Sequence, residues 1–293
     1  HVRIASLAPS GRSHFGSSQS SPDCSLCLSD ILELLRAGRV PLDHMGNEQG
    51  TQKPNEKRVR RPPHRYEEGM VYNGEWYNEC REGYGVQTFP DGAKYEGQWL
   101  GDRVHGKGKF SMPSGEMYEG CWKHDMAEGF GMYTHNDGSK YTGEWSEDQP
   151  HGEGTEMYAD GARYQGQYTN GQKHGLGHFT WPNGARYDGE FSDNQISGEG
   201  TYLWPDGRTF KGQWDANRMH GMGFFTWKDG RSFDGEYVED IKHGRGTFTW
   251  PDGRIWEGQW RDGQQNGTGT YTNAGGASRT GDWEYGKRKK WHH

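Results

Sequence analysis

From Tyr72 onward the chain is built of short runs in which aromatic and polar residues alternate, as in Tyr95-Glu-Gly-Gln-Trp99 and Thr247-Phe-Thr-Trp250. Alternation with a period of two sends one set of side chains to a buried face and the other to water. Each run therefore reads as a half-buried β-strand. Asp-Gly or Asn-Gly pairs punctuate the runs, as in Pro90-Asp91-Gly92 and Pro205-Asp206-Gly207. A glycine with positive φ closes a tight turn at such places, so successive strands are expected to fold back on one another as hairpins.

The runs recur with a fixed period. An aromatic-x-Gly-x-aromatic unit opens at Tyr72, Tyr95, Tyr118, Tyr141, Tyr164, Tyr187, Phe210, Phe233 and Trp256, each 23 residues after the last. A degraded tenth copy at Arg279 keeps Gly281 and Trp283. Inside each unit a Gly-x-Gly pair follows, from Gly83/Gly85 and Gly106/Gly108 to Gly267/Gly269. Glycine there predicts close backbone approach or a β-bulge. An isolated hairpin is marginal in water, so each unit must bury its aromatic face against its neighbour. Two strands per repeat at about 4.8 Å each predict roughly 9 to 10 Å per repeat and a rod of about 85 Å for nine. The expected fold is all-β: an elongated, single-layer, twisted β-solenoid of stacked hairpins, with Tyr95, Gly97, Trp99, Gly106, Gly108 and Gly115 typifying the structural positions.

This pattern resembles the MORN family (membrane occupation and recognition nexus), through motifs such as Tyr95-Glu-Gly-Gln-Trp99 and Gly106-Lys-Gly108 in nine consecutive copies. The departures are mild. Tyr168, Phe191 and Tyr237 replace tryptophan, Arg279 replaces the first aromatic, and Cys121 stands where Glu or Gln is usual. The resemblance implies a scaffold for protein partners, because chains built almost wholly of such repeats are similar to radial-spoke-head and cell-division scaffolds. A cytoskeletal or axonemal assembly, in the cytoplasm or at a cilium, is the implied setting. The alternative it implies is a membrane-targeting or regulatory arm of a larger enzyme, such as a phosphatidylinositol-phosphate kinase. A methyltransferase with a SET domain is a weaker third reading. Arrays of this kind also pair side by side through their edges, which brings in a homodimer.

Three segments are expected: residues 1–65 as a disordered or non-native extension, 66–286 as the repeat array, and 287–293 as a basic tail. The extension begins at His1, has its first methionine at Met45, and is Ser-rich without acidic residues over 1–22. Residues 28–37 could form one short amphipathic helix. The stretch Met45 to Thr51 fails as a myristoylation signal because Gly50 occupies the Ser/Thr position.

Composition sharpens this reading. Apolar residues make up only 29% while 48 of the 293 residues are glycine, so aromatics must carry the burial. No run approaches the length of a membrane-crossing helix, which predicts a soluble or peripherally bound protein. Four cysteines, Cys24, Cys27, Cys80 and Cys121, are too few and uneven for a disulfide framework. Charge divides along the chain. Residues 1–65 carry 10 Lys/Arg against 6 Asp/Glu, residues 66–286 carry 20 against 35, and the tail adds four basic residues. An acidic array disfavours nucleic acid, whose affinity comes mainly from its phosphates. Lys57, Arg58, Arg60, Arg61 and Arg65 at one end, and Lys287, Arg288, Lys289 and Lys290 at the other, are candidates for anionic phospholipid at about 1 kcal/mol each. Against this stands the plain alternative of solvated charge.

Candidate chemistry is sparse. His105, His151, His174, His220 and His243 precede the Gly-x-Gly pairs and suggest a ladder. Neighbouring repeats hold equivalent atoms roughly 9 to 10 Å apart, whereas zinc needs its ligands within about 2.1 Å. A structural role fits better than a metal site. The glycine pairs lack the strand-to-helix context of a nucleotide cradle. Every conspicuous residue recurs, and catalysis needs unique converging groups, so neither an enzyme nor a cofactor is predicted. The expected binding elements are instead surplus exposed aromatics lining an exposed face or groove: Trp181, Trp204, Trp227 and Trp250.

Overall fold

The computed structural model describes residues 57–292. The stretch 28–37, the Cys24/Cys27 pair and the Met45–Thr51 segment lie outside the described residues. The all-β class and stacked hairpins expected from the repeat are observed. The described residues form 22 strands, assigned to one antiparallel sheet. They divide into two compact units, one of residues up to 159 with 167–172, the other of 160–166 with 173 onward.

In the first unit, strand Lys94–Leu100 turns back into strand Arg103–Ser111 with Tyr95 opposite Phe110, Gly97 opposite Gly108 and Trp99 opposite Val104. The register shifts between Gly97 and Trp99, a bulge that absorbs Gly106. Strand Met117–Lys123 follows on the far side, with Phe110 opposite Tyr118 and Gly108 opposite Gly120. The second unit repeats the scheme. Strand Ser232–Val238 pairs with strand Ile241–Thr249, matching Phe233 to Phe248, Gly235 to Gly246 and Tyr237 to Lys242.

The glycine rows exist because the opening aromatic of each repeat lies across them. A Cβ on Gly108 would come 2.1 Å from the Tyr95 hydroxyl, and one on Gly97 would come 2.4 Å from the Gly108 Cα. Only hydrogen fits. Tyr95 caps its position by donating to the Gln98 carbonyl at 3.0 Å, and Trp99 Nε1 donates to the Gly85 carbonyl at 3.3 Å. The rings then interlock edge to face from repeat to repeat. Tyr95 meets Trp99 at 5.1 Å and Trp122 at 5.6 Å; Phe233 meets Tyr237 at 5.4 Å and Trp260 at 5.0 Å. Such pairs add about 0.5 to 1.5 kcal/mol each beyond area burial, which is how a chain poor in aliphatics holds a core.

Two kinds of turn alternate. Asp-Gly closes the connection between repeats: Gly92 has φ 91° and donates to the Phe89 carbonyl at 3.0 Å. Inside each repeat, two residues of positive φ make a tighter turn, as at Glu147-Asp148 (φ 48° and 71°) and Glu239-Asp240 (φ 48° and 69°). The second of these residues also clamps the preceding repeat. Asp125 accepts from the Val104 N–H at 2.7 Å while donating its own N–H to the Val104 carbonyl at 3.0 Å. Asp240 does the same to Met219, at 2.8 and 2.9 Å.

The ends differ from the expected segmentation. Val59–Arg60 and His64–Arg65, placed by the sequence outside the array, pair with strand Val71–Tyr77 through Val59 opposite Trp76 and His64 opposite Tyr72. The expected tail is a strand too: Lys287–Trp291 pairs with Ser278–Glu284. Both ends carry aromatic or β-branched residues that extend the ladder by one more half-repeat.

A polar sheet face as candidate interaction surface

With the aromatics and glycines consumed on one face, the other face carries what the sequence leaves over. The middle residue of each Gly-x-Gly points there, and Tyr84, Phe130, Leu176 and Met222 are 52, 62, 64 and 52% exposed. In the first unit Tyr84, Lys107 and Phe130 occupy the same position of successive repeats. They line a groove of about 730 Å³ together with Glu96, Lys109, Glu119, Cys121 and the backbone of Gly97, Gly108 and Gly120. Its charges are mixed and partly paired. The Tyr84 hydroxyl donates to Glu96 at 2.8 Å, Lys94 meets Glu96 at 2.7 Å and Lys109 meets Glu119 at 3.8 Å. The hydrogen bond from Lys94 is the main influence holding the Glu96 carboxyl below its ordinary range. The bond to Glu96 is the main one raising the Tyr84 phenol.

The Glu or Gln of each aromatic-x-Gly-[Glu/Gln]-aromatic motif supports this face. Gln98 accepts from the Lys107 N–H at 2.8 Å, Gln213 from Met222 at 2.9 Å and Glu236 from Arg245 at 3.1 Å. Each fastens the backbone just past the bulge, at the residue that presents its side chain outward. Cys121 supplies no such oxygen before Phe130, so the departure in the motif falls on the groove wall.

The tryptophans expected as exposed partner anchors are elsewhere. Trp181 and Trp204 are only 8 and 9% exposed, and Trp227 and Trp250 are half-buried. They form a second aromatic row: Trp204 lies 4.5 Å from Tyr202 and 5.3 Å from Phe225, and Trp227 lies 4.4 Å from Phe225 and 5.6 Å from Phe248. Arg208, Arg231 and Arg254, which follow the Asp-Gly turns, cover the outer ring faces at 5.4, 5.5 and 5.3 Å. These positions fall just past the strand ends, where the connection folds them back over the core.

The basic ends are partly engaged. Arg61 meets Glu79 at 3.1 Å and lies over Trp76, and Arg58 meets Glu82 at 3.4 Å. Lys289 meets Glu284 at 2.7 Å, Lys290 meets Asp282 at 3.4 Å, and Arg288 covers Trp291 at 4.6 Å. Lys57, Arg60, Arg65 and Lys287 are exposed.

Three cationic side chains enter the core row that elsewhere holds Val104, Ala127, Ile196 and Met219. Arg81, 3% exposed, bonds Asp102 Oδ1 at 3.0 Å and its carbonyl at 2.8 Å, and stacks 4.3 Å from Trp99. Lys173 lies 5.3 Å from Tyr164. Lys242 stands among four rings. The sequence did not single these out, although a 23-residue alignment shows charge in a mostly apolar column.

Of the histidine row, His151, His174, His220 and His243 are exposed, and His105 is half-buried with its ring 5.4 Å from that of His124. Among the described residues no group of three or more His, Cys, Asp or Glu is arranged to hold a metal ion. His178 pairs through Nδ1 with Asp188 and through Nε2 with Thr180 Oγ1 at 3.0 Å. That order of groups is the one used to activate a hydroxyl, but the pair is open to water, without the enclosed oxyanion site such chemistry uses. It acts as a cross-strand clamp.

A family model described as MORN repeat matches nine segments: residues 72–94, 95–117, 118–140, 141–163, 164–186, 187–207, 210–230, 233–253 and 256–278. Comparison with curated proteins returns no match. Among solved structures, the G-box domain of the microcephaly protein CPAP is 16% identical, covers 69% of this chain and all 100% of its own, and gives a TM-score of 0.28. A mutant TCP10 domain of Danio rerio CPAP is 12% identical over 79% of this chain and 98% of its own, with a TM-score of 0.27. The SAS-4 TCP domain of Drosophila melanogaster, solved with a proline-rich motif of Ana2, is 11% identical over 75% and 99%, with 0.26. Scores this low carry no argument about this chain. The nine matched repeats do, and by them the chain belongs to the MORN repeat family.

Proposed function

We propose that this protein is a non-enzymatic scaffold that holds a protein partner on the polar face of its sheet, within a cytoskeletal or axonemal assembly. The observation that carries the reading is the groove lined by Tyr84, Lys107 and Phe130. Large aromatics set in a partly polar surface are the usual anchors of protein interfaces, and Tyr84 and Phe130 are 52 and 62% exposed in a fold that buries most of its aromatic rings. The setting follows from family resemblance alone. The lipid-targeting alternative draws less support, because Arg58, Arg61, Lys289 and Lys290 are already paired with carboxylates.

The test uses the tagged full chain in a ciliated cell, extracted with mild detergent and imaged. Retention on axonemes or other cytoskeletal structures, lost in the Tyr84→Ser/Phe130→Ser double variant with circular dichroism unchanged, is the expected result. Complete release by detergent, together with sedimentation on phosphatidylserine vesicles that disappears when Lys57, Arg60, Arg65 and Lys287 are neutralised, would move the assignment to the lipid reading.

A further inference from the structure

Lys242 is a lysine at a core position of its repeat, enclosed by aromatic rings. Its Nζ lies 4.8 Å from the ring centre of Trp227, 4.9 Å from those of Phe233 and Phe248, and 5.1 Å from that of Trp260. No carboxylate joins them. In the first repeat the equivalent cation, Arg81, is met by Asp102 from the turn 21 residues on. For Lys242 that turn position is Gly263, which offers only its backbone N–H to the Lys242 carbonyl at 3.0 Å. The charged groups around the box do not replace the missing acid. Arg231 caps Trp227 and adds a like charge, with Asp229 already held by Arg231 at 2.8 Å. Asp240 is turned to the Met219 N–H, Asp262 faces Arg261 at 3.9 Å, and His243 is on the exposed face. Yet the side chain is only half-buried, and Nζ is not among the buried polar atoms cut off from water.

We propose that Lys242 is a nucleophilic amine and a site of acylation by thioesters of the acyl-coenzyme A class. Aromatic faces favour the ammonium, but burial without a counter-ion disfavours it more. Desolvation first, and the Arg231 charge second, bring the amine down to about 8. At neutral pH this multiplies the uncharged fraction by roughly two orders of magnitude over an ordinary lysine. In the reaction the lone pair of the neutral Nζ attacks the thioester carbonyl carbon. The C–N bond forms, the C–S bond breaks, and the thiol leaves with the proton released by the amine. The product is a neutral amide, so acylation removes the ammonium charge from among the four rings.

The experiment incubates the folded full chain with acetyl-coenzyme A at pH 7.5 and maps acetylated lysines by mass spectrometry over time. Lower basicity reduces intrinsic nucleophilicity and offsets part of the gain in neutral amine, so the expected advantage of Lys242 over exposed Lys211 is about tenfold. The advantage should vanish in denaturant, where the box is gone. Gly263→Asp supplies the missing carboxylate at a turn position where Asp102, Asp125, Asp148 and Asp240 already adopt positive φ. It should cut Lys242 labelling at least fivefold and leave Lys211 unchanged. Labelling of Lys242 no faster than that of Lys211 in the folded chain overturns the proposal, and so does labelling that Gly263→Asp does not slow.

Discussion

At the scale of single residues, glycine carries two separate burdens here. Gly97 and Gly108 form the floor on which Tyr95 lies, and a methyl group on either would overlap atoms at 2.4 Å or less. Gly108→Ala is expected to cost about 3 kcal/mol through overpacking, read as a lowered urea midpoint at constant slope. Gly253 has nothing within 4 Å but a φ of +88°. Gly253→Ala should cost only the backbone strain, about 1 kcal/mol, and the contrast between the two variants separates volume from conformation. The period was plain in the sequence, and so was the need for glycine. Which glycine serves space and which serves φ was not, because both demands select the same residue.

At the scale of the hairpin, stability is distributed between ring stacking and a clamp from each turn to the repeat before it. Asp102 both satisfies the Arg81 N–H at 2.7 Å and neutralises its guanidinium. Asp102→Ala strands a buried cation and is expected to lose about 3 kcal/mol. In the Arg81→Val background, which reproduces Val104 of the next repeat, the same change should lose only about 1 kcal/mol, the worth of the remaining backbone bond. A double-mutant cycle in urea measures the difference. Cys121 offers a gain instead of a loss. Cys121→Gln adds the oxygen that Gln98 and Gln213 offer in their repeats, and should raise stability by about 0.5 to 1 kcal/mol, visible as a higher melting temperature. The turn clamp was discoverable in the sequence as the column Asp102, Asp125, Asp148, Asn194, Asn217 and Asp240. It passed unnoticed because two-residue turns attract Asp and Asn for conformational reasons anyway.

At the scale of the whole molecule, the dominant titrating groups of the core are phenols. Burial raises Tyr72, Tyr95 and Tyr118 in one unit and Tyr187 and Tyr237 in the other, and pushes Tyr202 up to about 12. Their unfolded counterparts ionise near 10. Above that pH the folded state holds more protons than the unfolded one, so stability falls as pH rises. Lys242 acts in the opposite sense: held at about 8 against 10.5 unfolded, it contributes a penalty present below pH 8 and relieved between 8 and 10.5. Guanidinium midpoints are expected to rise slightly from pH 8 toward 10 and then drop steeply. Lys242→Met should abolish the rise and spare the drop.

The sequence by itself determined the repeat, the strand class, the antiparallel hairpins and a core dominated by aromatics, because each follows from local periodicity and from glycine or Asp-Gly at fixed offsets. It could not decide which surplus aromatics remain outside. Trp181 and Trp204 lie in a connection, where alternation carries no information about facing, and only the path of the chain folds them inward. Tyr84 and Phe130, hidden between two glycines, face water because the bulge at Gly83 and Gly129 sets the parity of the strand. The same is true of Lys242. Its position in the repeat marks it as core, but the four rings around it, and the carboxylate that Gly263 leaves out, come from three strands and two turns that meet only in the fold.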